Sequence, residues 1–273
     1  MSMQKLPAKT GWLWIKEGIA IFRKQPFEIV SLFFACVLLT MPLHLIPVVG
    51  QFAAIVLVPT LSMIFMQACA DVEQGKRLRP NVILVGFRSP RFPSLLILGV
   101  FYLASAALAV WVSTLIDGGV FLKVVQGTLA PDSPQVLNSN MQQAMLAAAV
   151  VYTPAAMAFW YAAPLVVWKD MGAGKAAFYS FFAVWKLAAP FLVYALAGGI
   201  LAVVVLTLFS AIVGAIVGIL LGMGAAKIVL AMFLSVFTAV VFCTFYPTYT
   251  SVFGKPYSSD EPDVSESDGP PVA

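Results

Sequence analysis

Ionisable side chains are scarce in this sequence. Of 273 residues, only 10% are Asp, Glu, Lys or Arg. A soluble domain carries about 25%, so a water-soluble globular fold is excluded. Histidine is nearly absent: His44 is the single one. One histidine without a nearby Cys, Asp or Glu makes a poor metal site, and His44, set between Pro42 and Pro47, reads as an interfacial polar residue. The three cysteines, Cys36, Cys69 and Cys243, form no CxxC pair and lie in apolar runs, which leaves them as small buried hydrophobes. GxSxG, HExxH, Walker A and GxGxxG patterns are all missing. Asp117 and Asp132 are too little for acid–base chemistry on any visible template. No catalytic residue, metal site or cofactor is assigned, and neither enzymatic activity nor a nucleic-acid partner is expected.

Apolar runs are what the chain has in quantity: 61% of its residues are hydrophobic, and the mean hydropathy is +0.95. About 20 apolar residues cross a bilayer as a helix. Runs of that kind lie at Ile29–Leu45, Gly50–Cys69, Ser94–Ile116, Met145–Trp168, from Leu187 onward, and at Ile228–Thr250. In lipid, backbone groups must be satisfied within the segment, so runs of this length are helices. The expectation is an all-α, polytopic transmembrane bundle over residues 1–256, with about six spans. The stretch Leu187–Ala226 holds no charge and is long enough for either one extended helix or two spans. Six spans are preferred. The segment Asp117–Gln143, with Pro131, Asp132, Ser133, Pro134 and Asn138, reads as an irregular loop. No compact apolar core precedes a small-residue cleavage site near the start, so the first run is expected to insert and stay.

Lys and Arg set the orientation. Fourteen of the sixteen fall in the N-terminal segment, in the loops after the second and fourth spans, and after the sixth, leaving Lys123 and Lys227 opposite. That asymmetry predicts a bacterial inner-membrane protein with both termini cytoplasmic. No acidic or basic residue lies within a predicted span, Lys227 apart, which argues against a proton-coupled pump.

A similar plan recurs three times. Trp12, Ile15, Ile19 and Phe22 share one helical face, followed by Arg23-Lys24, Pro26-Phe27 and a span. Ile83, Leu84 and Phe87 precede Arg88 and Arg91-Phe92-Pro93. Phe178, Phe181, Phe182 and Trp185 precede Lys186 and Pro190-Phe191. The returning spans carry Pro59, Pro164 and Pro247, each able to kink its helix. The predicted repeat is an interfacial helix plus two spans, with aromatics in the headgroup layer.

The opening GWLWIKEGIAIFRKQP (residues 11–26) resembles that of a family of proteobacterial multi-pass inner-membrane proteins of unknown function, in which a GWxWI helix ends in F-[RK]-[RK]-x-P. The likeness extends to the Ile46–Gly50 turn, Pro59, the Phe178–Lys186 helix and the tyrosine-rich end at Tyr246–Phe253. It implies a multi-pass fold and no activity. The run Ser210–Gly224 and the tail after Tyr257 depart from the family plan.

Ser210, Gly214, Gly218 and Gly222 place a small residue at every fourth position, a face that lets a second helix approach closely, within the chain or in a homo-oligomer. Arg23, Lys24, Arg77, Arg79, Arg88, Arg91 and Lys186 are candidates for contact with anionic lipid headgroups. Residues 257–273, rich in Asp and Glu, read as a disordered acidic tail. A non-enzymatic binding, scaffold or envelope-assembly role, with an envelope protein among the expected partners, is the leading functional expectation. Transport of a neutral or lipid-like substrate is the alternative. A cavity between the repeats would favour the latter, and a solid core the former.

Overall fold

The computed structural model describes residues 6–46, 49–130 and 132–256. The predicted acidic tail, and Pro47, Val48 and Pro131 of the predicted turns, lie outside the described residues. The described chain is helical, with no strand. Among the described residues, six helical segments are long and apolar enough to cross a membrane: Pro26–Leu45, Val49–Glu73, Phe92–Asp117, Met141–Trp168, Ala188–Leu221 and Met223–Phe253. They coincide with the six runs read from sequence.

Helix α1 (Thr10–Lys24) stops because Gln25 precedes a proline, whose ring pushes the preceding residue out of the helical region. Gln25 sits at φ −145° and ψ 65°, and α2 (Pro26–Thr40) restarts with proline in its first turn, where no backbone donor is needed. A 3₁₀ turn, Met41–Leu45, completes the first span. Helix α3 (Val49–Glu73) returns. The connection back is a 3₁₀ turn, Pro80–Leu84, and the short α4 (Val85–Arg88). Helix α5 (Phe92–Asp117) ends at left-handed Gly118.

The loop expected to be irregular holds two short helices, α6 (Val120–Val125) and α7 (Pro134–Leu137). The Asp117 carboxylate accepts the backbone N–H groups of Gly119 and Phe121, at 2.8 and 2.6 Å, and so caps α6. The fourth span is broken into α8 (Met141–Phe159) and α9 (Ala162–Trp168). Helix α10 (Ala173–Lys186) leads into the 34-residue α11 (Ala188–Leu221), and α12 (Met223–Phe253) closes the chain.

Helix α11 resolves the long uncharged run as one helix, roughly 50 Å long against about 30 Å of hydrocarbon. Gly222 reverses the chain at φ +88°, a conformation that a Cβ would strain. This corrects the reading of Ser210, Gly214, Gly218 and Gly222 as one helical face: the fourth member is the hinge of a hairpin.

The basic loops meet at one end of the bundle. Gln25 bonds to the Lys76–Leu78 backbone, Lys255 pairs with Glu73 at 3.1 Å, and Arg91 pairs with Asp170. The tight packing is at that end. Buried residues fall at 59–72 of α3, 239–253 of α12, 162–166 of α9 and 173–184 of α10, whereas α11 buries only Pro190 and Val213. Between lipid-immersed helices there is no hydrophobic driving force, so the spans stay together where polar groups and aromatic rings tie them.

The element order fits three units: α1–α2–α3, then Pro80–Leu84 with α4, α5, α8 and α9, then α10–α11–α12. Helices α3 and α12 run through Pro59 and Pro247 without interruption. In each, a hydroxyl three residues on bonds back to the proline carbonyl: Ser62 to Pro59 at 2.9 Å and Thr250 to Pro247 at 3.3 Å. Thr60 and Thr248, next to the two prolines, are both fully buried. Pro164 acts more strongly. It has no N–H for the Trp160 carbonyl, and the helix breaks at Trp160–Tyr161.

Candidate functional site

Helices from all three units border a partly open cavity of about 700 Å³, lined by α1, α8, α10, α11 and α12. Its walls include Ile15, Ile19, Trp160, Phe191, Tyr194 and the Gly198-Gly199 pair. Neither acidic nor basic side chains line it. The volume falls within the range of roughly 300–1,000 Å³ typical of small-molecule sites.

Helix α1 forms one wall and is held against the bundle by close backbone contact. A Cβ on Gly11 would lie 2.2 Å from the Pro190 carbonyl oxygen, and one on Gly18 would lie 2.5 Å from Thr244 Cα. Between them Trp14, 1% exposed, donates its indole N–H to Ser251 at 2.9 Å. Its ring meets Phe191 at 5.2 Å and Tyr194 at 6.0 Å. The face α1 turns to the protein is thus Gly11, Trp14, Ile15, Gly18 and Ile21. The face predicted for the headgroup layer is split: Ile15 is buried in protein, Ile19 and Phe22 are half-buried, and Trp12 is exposed under Lys16, whose ammonium lies 5.6 Å from the ring centre. On α10 the stripe Phe178, Phe182 and Trp185 is exposed; Phe178 lies tilted on Phe182, Phe182 edge-on to Phe181, and Trp185 stacks on Phe181.

The break in the fourth span shapes the opposite wall. Ser180 of α10 accepts the Tyr161 N–H at 2.8 Å and donates to the Met157 carbonyl at 2.8 Å, satisfying backbone groups that the break releases. Trp160 then points its N–H at Thr248 Oγ1 (3.3 Å), and Tyr161 donates to the Thr248 carbonyl (3.0 Å). Trp160 lies edge-on to Phe191 and Tyr194.

The proton inventory of the wall follows. Thr244 Oγ1 donates to the Val241 carbonyl at 2.7 Å, so Tyr194, 2.6 Å away, must donate to Thr244. Thr153 donates to the Ala149 carbonyl at 2.7 Å. Trp160 is committed to Thr248. Each of these donors is used internally, and lone pairs remain on Tyr194, Thr244 and Thr153. The cavity therefore presents acceptors in an apolar chamber. That disfavours an anion and suits a neutral molecule with a hydroxyl to donate.

Other predicted residues fall elsewhere. Ser210 is exposed, no atom lies within 4 Å of where a Gly214 Cβ would be, and a Cβ on Gly218 would lie 3.1 Å from Met223 Sδ and 3.9 Å from Ala226 Cβ across the hairpin. Within the chain the small-residue face therefore packs only at Gly218. Arg23, Lys24, Arg77, Arg79, Arg88 and Lys186 are exposed. Arg91 is not free for a headgroup: its guanidinium holds both Asp170 oxygens, and this bond keeps the Asp170 carboxyl below its usual range. Tyr194, Thr244, Trp160 and Phe191 were not singled out from sequence. The Gly198-Gly199 pair inside an apolar run was the available signal.

These features define a multi-pass helical protein of the bacterial inner membrane. The chain belongs to the same family as a probable inner membrane protein of Burkholderia thailandensis, to which it is 37% identical over 276 residues, covering 97% of this chain and all of the relative. No family model matches the chain, and no solved structure matches it.

Proposed function

We propose that this protein is a non-enzymatic binding protein that takes a neutral, lipid-like alcohol into the chamber among its three units. The observation that carries the reading is the uncharged 700 Å³ cavity whose lining hydroxyls have spent their protons. A long-chain alcohol or diacylglycerol would bury its hydrocarbon there and donate its hydroxyl to Tyr194 or Thr244. A cavity at the meeting of the units, in place of a solid core, favours passage of that molecule across the membrane over a scaffold role. The 14-to-2 division of Lys and Arg supports a cytoplasmic basic end with both termini inside. A periplasm-active reporter fused after Ala273 is then inactive.

Tyr194→Phe keeps the ring and removes the oxygen. Photoactivatable diacylglycerol is expected to label the wild type within the chamber and the Phe variant less, by a factor of about five to ten for one lost hydrogen bond. The hydroxyl-capped triacyl analogue should label both equally and weakly. Equal labelling of both proteins by both probes refutes the hydroxyl site, and no labelling of chamber residues refutes the chamber. Flux of the same probe in proteoliposomes separates carriage from binding.

A further inference from the structure

A second pair of spaces lies at the basic end, built from elements that do not line the chamber. One is a polar pocket of about 630 Å³ flanked by Lys76, Arg77, Arg79 and Asn81, with Gln67 and Asp71 at its back. The other is an apolar groove of about 410 Å³ between α2 and the Pro80–Leu84 turn. Arg79 and Val82 line both. The two spaces therefore adjoin, with a cation between them.

The basic segment is held in place. At the break between α1 and α2, the Gln25 amide donates to the Lys76 carbonyl at 2.7 Å and accepts the Leu78 N–H at 3.0 Å. The clamp grips the backbone on both sides of Arg77 and sets Arg79 one residue beyond. Two carboxylates are near. Asp71 is engaged by the Gln67 amide at 3.0 Å, and Gln67 is itself held by the Trp168 N–H at 3.1 Å. Glu28 lines the groove. The three cations outnumber them.

The groove runs along one face of α2. Phe27, Ser31 and Ala35 recur every fourth residue and face Ile83 across it. From Phe27 to Ala35 this face rises roughly 12 Å into the first span, the direction an acyl chain takes from a headgroup at the membrane surface.

We propose that one anionic phospholipid binds here, with its phosphate among Lys76, Arg77 and Arg79 and one acyl chain along Phe27, Ser31 and Ala35. Charge complementarity fixes the head, and the adjoining groove requires a tail on the same molecule. A free phosphate shares the first contact and not the second.

The full chain in neutral detergent, titrated with dioctanoyl phosphatidylglycerol, dioctanoyl phosphatidylcholine and glycerol 3-phosphate, tests this. Phosphatidylglycerol should bind at one saturable site, with the choline lipid weaker. Glycerol 3-phosphate should bind at least about tenfold more weakly, because each buried CH₂ strengthens binding about fourfold. Losing one surface cation weakens lipid attraction about fivefold, so Arg77→Gln with Arg79→Gln should cost roughly 25-fold. Arg88→Gln with Lys186→Gln, the same charge loss elsewhere on that end, should leave the site unchanged. Ala35→Trp, filling the groove, should weaken the lipid and not glycerol 3-phosphate, which also shows that this variant is folded. An equal loss in the Arg88/Lys186 variant means diffuse surface attraction and overturns the proposal. So does glycerol 3-phosphate binding as tightly as the lipid, or Ala35→Trp without effect. Failure of diacylglycerol labelling in the central chamber leaves this result untouched.

Discussion

Replacing Gly18 by alanine separates the glycines that hold helices together from those that do not. The added methyl would stand 2.5 Å from Thr244 Cα, 2.6 Å from its Cγ2 and 2.8 Å from its amide nitrogen. Carbon atoms rest about 3.5–4.0 Å apart, so α1 and α12 must part by about 1 Å. Two of the three obstacles are backbone, which cannot rotate away. Overpacking costs about 1–3 kcal/mol, and an immovable neighbour places this case near 3. Alanine returns up to about 1 kcal/mol of helix propensity. The net loss is about 2 kcal/mol. Gly214→Ala meets nothing within 4 Å and keeps only the propensity gain. Unfolding by SDS from mixed micelles, followed by near-ultraviolet circular dichroism, should show Gly18→Ala unfolding earlier than wild type and Gly214→Ala no earlier. A Gly18→Ala protein as stable as wild type would refute the close seating of α1. An equal loss at Gly214 would mean that its face is occupied.

Two further outcomes follow from the basic end. Burial, and then the negative charge of Glu73, raise the Glu17 carboxyl above its ordinary value of 4.5, with Lys24 and the Glu73–Lys255 pair close by. The folded state then holds that proton more tightly than the unfolded state does. Resistance to SDS is therefore greatest below the ordinary value and declines as pH rises through the raised one. Glu17→Gln should remove this part of the slope as pH rises above 4.5, and an unchanged slope would assign it to another group. The Cys69 and Cys243 thiols, on α3 and α12, are buried and neighbour one another. A membrane-permeant oxidant should thus protect these two from alkylation after denaturation and leave Cys36 reactive, whereas protection of Cys36 would contradict the pairing of α3 with α12.

The spans were legible because hydropathy reports them directly, and the ends differ from the sequence reading by a few residues. Gly222 was misread for a physical reason: a glycine every fourth position looks the same whether it continues a groove or begins a turn. Trp14 was passed over because α1 carries apolar residues at 12, 13, 14 and 15, so several faces satisfy helical periodicity. Its partners, Ser251, Phe191 and Tyr194, are far away in the chain. The Arg91–Asp170 pair was hidden by the same distance. The chamber is a space rather than a motif. Five helices must be placed before it exists, and the spent protons on its wall depend on bonds such as Thr244 to Val241 that composition does not encode.

The bonds that seat α1 join the beginning of the chain to its end. Trp14 reaches Ser251 across 237 residues, and Tyr246 reaches Glu73 across 173. At about 5–20 residues per second of synthesis, the first helix waits roughly 10–50 s for the last. During that interval the Trp14 indole N–H lacks its native acceptor and Gly18 lies open, while Gly11 can already meet Pro190 of α11. Assembly of this protein is therefore a ring closure, completed only when Pro247 and the residues after it have left the ribosome. A chain cut short after α11 would hold five spans, and its first helix would be docked on α11 alone.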